Sequence, residues 1–92
     1  MSMIHTDGKD IGPVLLYALS TCGWCKKTRA FMQEQGIAFD VIEVDRLKGE
    51  ERKTTISELA KFNPAMSFPT LIIGEQCIIG FKEDQIKAAI SL

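Results

Sequence analysis

Short apolar runs and longer amphipathic segments alternate along the chain. The run 14–19 is continuously apolar and of strand length, as expected of a strand that is covered on both faces. Shorter apolar runs follow at 38–44, 70–73 and 76–79, and the two residues between the last two runs have the spacing and the glycine of a hairpin turn. The pattern therefore predicts four β-strands.

Three segments between and after these runs favour helix. The residues from 24 onward are rich in helix formers and end near Gly36, a good C-terminal stop. Segment 50–63 carries an apolar stripe at three- and four-residue spacing, and its acidic first residues suit the positive end of a helix dipole. Segment 83–91 has a similar, shorter stripe. The predicted order of elements is β-α-β-α-β-β-α.

This order predicts an α/β fold built on one four-stranded mixed sheet. Two strands joined through a helix should be parallel, whereas the last two strands should form an antiparallel hairpin. The first and third helices should cover one face of the sheet and the second helix the other. Residues 1–12 are polar and without periodicity, so we predict a flexible N-terminal tail followed by a single domain over 13–92.

Composition and charge exclude several classes of function. The chain has 92 residues, of which 46% are hydrophobic and 25% charged, the balance of one small globular domain. A formal net charge of -1 gives no general attraction to nucleic acid or to anionic membranes. No apolar run approaches the roughly 20 residues of a membrane-spanning helix, and no secretory signal is recognisable. We therefore expect a cytoplasmic protein, and a monomer.

Two cysteines mark the candidate chemistry, because Cys22 and Cys25 stand where the first predicted strand gives way to the first helix. The unpaired N–H groups of a helix N-terminus stabilise a thiolate, so Cys22 is the expected nucleophile. Cys25 lies one turn further in and is the expected resolving thiol, which attacks the mixed disulfide on Cys22. A Cys-x-x-Cys motif within a βαβ pattern is typical of the thioredoxin-like fold.

A metal site and inert cysteines are the alternatives to redox chemistry. Structural zinc needs four ligands, and only His5 and Cys77 could complete the set. His5 falls in the predicted tail, so we expect no metal site. Cys77, in the middle of the fourth predicted strand, is expected to be a buried small hydrophobic residue.

The residues around the cysteines allow two interpretations. Lys26, Lys27 and Arg29 could form a solvated basic face, or they could favour the Cys22 thiolate and attract an anionic thiol substrate. Trp24 could be partly packed, or it could form an exposed aromatic wall for a substrate. The residues alone leave both questions open.

The chain resembles the glutaredoxins across 14–92. The matching stretches are 14–17 leading into Cys22-Gly23-Trp24-Cys25, then Phe68-Pro69-Thr70, and 79–84 before the last helix. The resemblance implies a thioredoxin-like fold, a cis bond before Pro69 and dithiol–disulfide exchange without a required cofactor, with glutathione or another thiol as co-substrate. With the residues beside the dithiol, the expected substrate-binding set is Trp24, Lys26, Phe68, Pro69, Gly80, Phe81 and Glu83.

Several departures from the family pattern concern the reductant. Glutaredoxins usually have a lysine where this chain has Leu19 and a second glycine where it has Phe81. The stretch around Gly80-Phe81-Lys82 looks more like the glutaredoxin-like hydrogen donors of ribonucleotide reductase, which thioredoxin reductase reduces. We therefore expect weak glutathione binding, with protein disulfides or low-molecular-weight thiols as substrates and thioredoxin reductase as a possible partner.

A second function remains open at this stage. Gly23 replaces the usual proline after the first cysteine, and in the family such a change can permit a bridged [2Fe–2S] cluster. The alternative is therefore a cluster carrier, in which a dimer holds the centre on two Cys22 thiolates and two external thiols.

Overall fold

The computed structural model describes residues 3–90 of the chain. Its helices and strands, in chain order, are β1 (Met3–Thr6), β2 (Val14–Ala18), α1 (Gly23–Glu34), β3 (Phe39–Glu43), a short 3-10 turn (Val44–Arg46), α2 (Gly49–Phe62), β4 (Thr70–Ile73), β5 (Gln76–Ile79) and α3 (Glu83–Ile90). From β2 onward, this is the predicted order of strands and helices. Within residues 3–90, no helix combines the length and the apolar character needed to span a bilayer.

All five strands belong to one mixed sheet in the order β1-β3-β2-β4-β5. The strands β2 and β3, which α1 connects, are parallel, with Leu16 opposite Val41. The pairs β2–β4 and β4–β5 are antiparallel, as is β1–β3. The central strand β2 ends at Ala18, so its carboxyl end delivers the chain directly to the cysteine motif.

The prediction of four strands is wrong by one, because β1 lies within the segment predicted to be a flexible tail. It pairs antiparallel with β3, and His5 stands opposite Asp40, with 2.8 Å between the imidazole Nδ1 and the carboxylate. Further along the segment, the backbone of Gly8 runs so close to Ile37 that an added Cβ would lie 2.4 Å from the Ile37 carbonyl carbon. Only a glycine fits such an approach.

The three helices cover the two faces of the sheet as predicted. On one face, α1 and α3 contribute Cys25, Phe31, Met32, Ile86 and Ala89 to a core cluster with apolar residues of the strands. On the other face, α2 packs Leu59 against a second cluster around Tyr17. The apolar stripe predicted for α2 is less buried than expected, since Ile56 is half-buried and Phe62 is exposed. The domain is thus a thioredoxin-like three-layer fold.

Candidate active site

The two motif cysteines sit at the junction of β2 and α1. Cys22 is the N-cap residue of α1, with an extended backbone (φ -81, ψ 118), and Cys25 lies in the first turn. The backbone N–H of Cys25 donates to the Sγ atom of Cys22 at 3.2 Å. An N-terminal amide aimed at a sulfur stabilises negative charge on that sulfur. The sulfur of Cys22 therefore accepts a backbone hydrogen bond at the N-terminal end of α1.

The two thiols differ sharply in their surroundings. Cys22 is half-buried, whereas Cys25 is 1% exposed and belongs to the core cluster beneath α1. Burial, together with the hydrogen bond to Cys22, raises the pKa of Cys25 to about 12. At neutral pH Cys25 is thus a protonated, protected thiol beside an accessible one.

The loop that presents Cys22 is held by the 3-10 turn that follows β3. The backbone N–H of Ser20 donates to Asp45 at 2.9 Å, and the Ser20 hydroxyl donates to the other oxygen of the same carboxylate. These two donors hold the pKa of Asp45 below its ordinary value. The backbone N–H of Cys22 also donates to the carbonyl of Leu19 at 3.2 Å. Sequence reasoning missed Asp45, because its partner is 25 residues away.

An aromatic groove of about 260 Å³ opens beside the dithiol. Its lining residues are Trp24, Phe68, Pro69, Gly80 and Phe81. The Trp24 side chain is 59% exposed, and its ring centroid lies 6.2 Å from that of Phe81. Trp24 is therefore an exposed aromatic side chain on the wall of this groove, and its contact with a substrate stays a prediction.

The Phe81 and Trp24 rings of the groove each contact one further side chain. The Phe81 ring meets Phe31 of α1 nearly edge-on, with 5.8 Å between the centroids. The Lys27 ammonium lies 4.6 Å from the centre of the Trp24 ring, a cation–π contact. Phe81 thus fills, with a packed aromatic ring, the position where the family usually has a glycine.

The opposite wall of the groove is a loop held by a buried amide. The peptide bond between Phe68 and Pro69 is cis, as the resemblance implies, and the Gly80 N–H donates to the Pro69 carbonyl at 2.9 Å.

Asn63, 2% exposed at the end of α2, donates from Nδ2 to Ser67 and to the Thr70 hydroxyl at 3.0 Å. Sequence reasoning missed Asn63, whose only signal is a helix-ending Asn-Pro pair.

Two predicted substrate-binding residues do not line this groove. Lys26 is exposed in the first turns of α1. Glu83 opens α3, where its carboxylate lies 4.0 Å from Lys87, and it borders a separate shallow depression with Lys82. The two residues stay predictions as contacts for a larger substrate.

An ion-pair network joins α1 to the end of β3. The Glu43 carboxylate, at the end of β3, is 3.5 Å from the guanidinium of Arg29 on α1. Its other oxygen is 3.5 Å from Arg46. Arg29 is therefore held in an ion pair, unlike a simple solvated basic residue. Its positive charge lowers the pKa of Cys25, although burial raises that pKa by more.

The third cysteine is more exposed than predicted. Cys77 is half-buried on the edge strand β5, and its sulfur lies 3.7 Å from the Phe62 carbonyl. Its partial burial raises the pKa of this thiol. His5, on β1, stands at the opposite edge of the five-stranded sheet, about 19 Å away at the usual strand spacing. Within residues 3–90 no group of three or more potential ligands is placed to hold a metal.

Comparison with known proteins agrees with this geometry. The glutaredoxin family model matches residues 14–78. A glutaredoxin from Methanosarcina mazei is 44% identical, with a TM-score of 0.90 over 98% of this chain and 88% of its own. Methanoredoxin from Methanosarcina acetivorans is 43% identical, with a TM-score of 0.87 over 92% of this chain and 90% of its own.

A more distant similarity extends to another glutaredoxin-like protein. NrdH-redoxin from Escherichia coli, described as having a thioredoxin-like activity profile, is 25% identical, with a TM-score of 0.68 over 84% of this chain and 93% of its own. The family model covers more than half of the chain and includes both motif cysteines. The chain therefore belongs to the glutaredoxin family of thiol–disulfide oxidoreductases.

Proposed function

We propose that this protein reduces disulfides by dithiol exchange, with Cys22 as the nucleophile and Cys25 as the resolving thiol. The observation that carries the proposal is the contact between the two residues: the Cys25 amide supports charge on the Cys22 sulfur, while the Cys25 side chain is buried beneath it. Dithiol exchange requires one accessible thiolate that attacks the substrate and one protected thiol that resolves the mixed disulfide.

The reaction proceeds in two balanced steps. The Cys22 thiolate attacks one sulfur of the substrate, forming a mixed disulfide and releasing the other sulfur as a thiolate that takes up a proton. Cys25 then loses its proton and attacks the Cys22 sulfur, which breaks the mixed disulfide and releases the second substrate thiol. The substrate gains two electrons and two protons, and the protein is left with a Cys22–Cys25 disulfide.

We further propose that the aromatic groove receives the substrate beside the reacting sulfur. Trp24 and Phe81 offer apolar contact, and the Phe68 backbone could pair with the backbone of a bound peptide. Lys26 and Glu83 would contact the charged ends of a larger substrate. Disulfide-containing proteins and low-molecular-weight disulfides are the substrate classes that suit such an open, apolar groove.

The reductant is proposed to be a partner other than glutathione. Glutathione carries two carboxylates, and a dedicated site should meet them with cations and backbone N–H groups. Here Leu19 supplies no charge, Lys27 lies over the Trp24 ring, and Phe81 occupies space that a glycine would leave open. Thioredoxin reductase or another low-molecular-weight thiol fits better, and the thioredoxin-like profile of NrdH-redoxin supports this choice.

Reduction of hydroxyethyl disulfide by the pre-reduced protein, purified without oxygen, tests the proposed chemistry. The wild-type protein should be colourless and should reduce one substrate per molecule, whereas Cys22→Ser should be inactive. Cys77→Ala is the matched control and should remain active, because Cys77 lies on the edge strand β5. A brown wild-type protein that does not reduce the substrate would contradict dithiol exchange and favour the [2Fe–2S] carrier.

A further inference from the structure

The resolving step requires a thiolate at Cys25, and neither cysteine provides a positive charge that would stabilise it. To attack the mixed disulfide, Cys25 must become a thiolate, yet its sulfur lies in an apolar cluster and only 1% of the residue is exposed. A buried thiolate without a nearby positive charge is strongly disfavoured. The protein therefore needs a source of positive potential close to Cys25.

Arg29 stands one helical turn after Cys25, on the same side of α1. Its side chain is only 28% exposed, and its guanidinium is held by Glu43, whose side chain is 17% exposed. Glu43 ends β3 directly opposite Ala18, the last residue of β2 before the cysteine loop. The ion pair is thus anchored at the same end of the sheet as the dithiol.

We propose that Arg29, restrained by Glu43, promotes the resolving step by stabilising the Cys25 thiolate that attacks the mixed disulfide on Cys22. This inference rests on the proposed dithiol function. Arg29 does not react itself: it is a positioning residue, since it acts through the charge of Cys25. Its role begins only after Cys22 has attacked the substrate.

The balance of influences on Cys25 changes during the reaction in a way that supports this role. In the free protein, burial and Cys22 raise the pKa of Cys25, whereas a backbone hydrogen bond with Leu19 and the charge of Arg29 lower it. Once Cys22 is in a mixed disulfide, its sulfur is neutral and its charge no longer opposes the Cys25 thiolate. The positive charge of Arg29, which already lowers the pKa of Cys25 in the free protein, is then no longer opposed by the charge of Cys22.

A two-phase reaction with dithiodipyridine separates the two steps. This disulfide is uncharged at neutral pH, so a changed protein charge does not alter its encounter with Cys22. Attack by Cys22 releases one thiopyridone at a rate proportional to reagent concentration. Resolution by Cys25 releases the second at a rate independent of concentration. All variants carry Cys77→Ala, so that the third thiol does not contribute.

Arg29→Gln should leave the first phase unchanged and slow the second by up to about tenfold, because a pKa one unit higher leaves about ten times less thiolate at a given pH. The pH profile of the second phase should move to higher pH. Arg29→Lys should keep most of the wild-type rate. Arg46→Gln, which removes the other partner of Glu43, is the matched control and should behave as wild type.

Three outcomes would contradict the proposed role of Arg29. A second phase at the wild-type rate in Arg29→Gln would overturn the role of Arg29, and equal slowing of both phases would reduce it to a structural role. If the parent Cys77→Ala protein releases only one thiopyridone, dithiol exchange itself fails, and this inference fails with it.

Discussion

The backbone N–H of Cys25 lies 3.2 Å from the sulfur of Cys22, while the side chain of Cys25 is shut inside the core. In the proposed mechanism, Cys25 therefore supplies both the donor that favours the attacking thiolate and the thiol that completes the exchange. The asymmetry arises from helix geometry, because the N-cap residue Cys22 is half-buried at the end of α1, whereas the residue three positions later packs into the core.

This asymmetry predicts selective alkylation. At neutral pH iodoacetamide should modify Cys22 rapidly and Cys77 slowly, and it should leave Cys25 untouched, because burial raises the pKa of Cys25 to about 12. Labelling of Cys25 should rise only under strongly alkaline conditions. Peptide mass mapping after timed exposure measures this, with denatured protein as the control in which all three thiols react. Early labelling of Cys25 at neutral pH would refute the assignment.

Substitution of Leu19 and Phe81 by the residues usual in glutaredoxins should shift the preferred reductant towards glutathione. Leu19→Lys combined with Phe81→Gly should raise the glutathione-coupled rate about tenfold or more, since one charged hydrogen bond contributes about 1.5–3 kcal/mol. Ile4→Lys adds the same charge on the edge strand β1 and should have no effect. The test compares initial rates with glutathione and with thioredoxin reductase at matched concentrations. A wild-type preference for glutathione of about tenfold would contradict the proposal.

Asn63 should matter for both stability and turnover. Asn63→Ala removes the buried amide that joins Ser67 to Thr70, at a cost of about 1–3 kcal/mol, which lowers Tm by several degrees in a domain of this size. The loop that carries Phe68 and Pro69 would lose its anchor, so reduction of a protein disulfide should slow. Thermal unfolding and an insulin reduction assay measure the two effects. Ser67→Ala removes only part of this network and should have the smaller effect.

The attachment of β1 should depend on pH. The hydrogen bond that the His5 imidazole donates to the Asp40 carboxylate raises the pKa of His5 above its ordinary value of 6.5. The His5–Asp40 pair therefore stabilises β1 fully below that value, and the contribution is lost as pH rises through the raised pKa. The imidazole resonances, followed by NMR, should titrate higher in the wild type than in Asp40→Asn. Asp7→Asn should lower the midpoint less, and equal midpoints in all three proteins would rule out the pairing.

The sequence predicted the parts of the site that depend on local signals. The Cys22–Cys25 spacing at a strand–helix boundary is local, and so are the apolar runs of β2, β4 and β5. The missed features join distant residues: His5 with Asp40, Ser20 with Asp45, and Arg29 with Glu43. The strand β1 gave no signal because three of its four residues are exposed and its pairing partner comes more than thirty positions later.

Cys77 illustrates a different limit of the sequence. Its place in a short apolar run predicts burial, but β5 is an edge strand with only one neighbour. The exposure of a side chain on β5 depends on how far the end of α2 covers the sheet. At Cys77 this cover includes the carbonyl of Phe62, which lies 3.7 Å from the sulfur. Strand order is a property of the whole fold, so no local pattern could reveal it.

Intact-mass spectrometry of two serine variants determines which cysteine attacks the substrate and which resolves the mixed disulfide. Each variant is mixed with hydroxyethyl disulfide, quenched with acid and weighed, in a Cys77→Ala background. Cys25→Ser should accumulate one stable mercaptoethanol adduct on Cys22, because the attack proceeds and the resolution cannot. Cys22→Ser should remain unmodified, because the buried Cys25 thiol is not a nucleophile at neutral pH. An adduct on Cys22→Ser with none on Cys25→Ser would contradict the account and reverse the roles of the two cysteines.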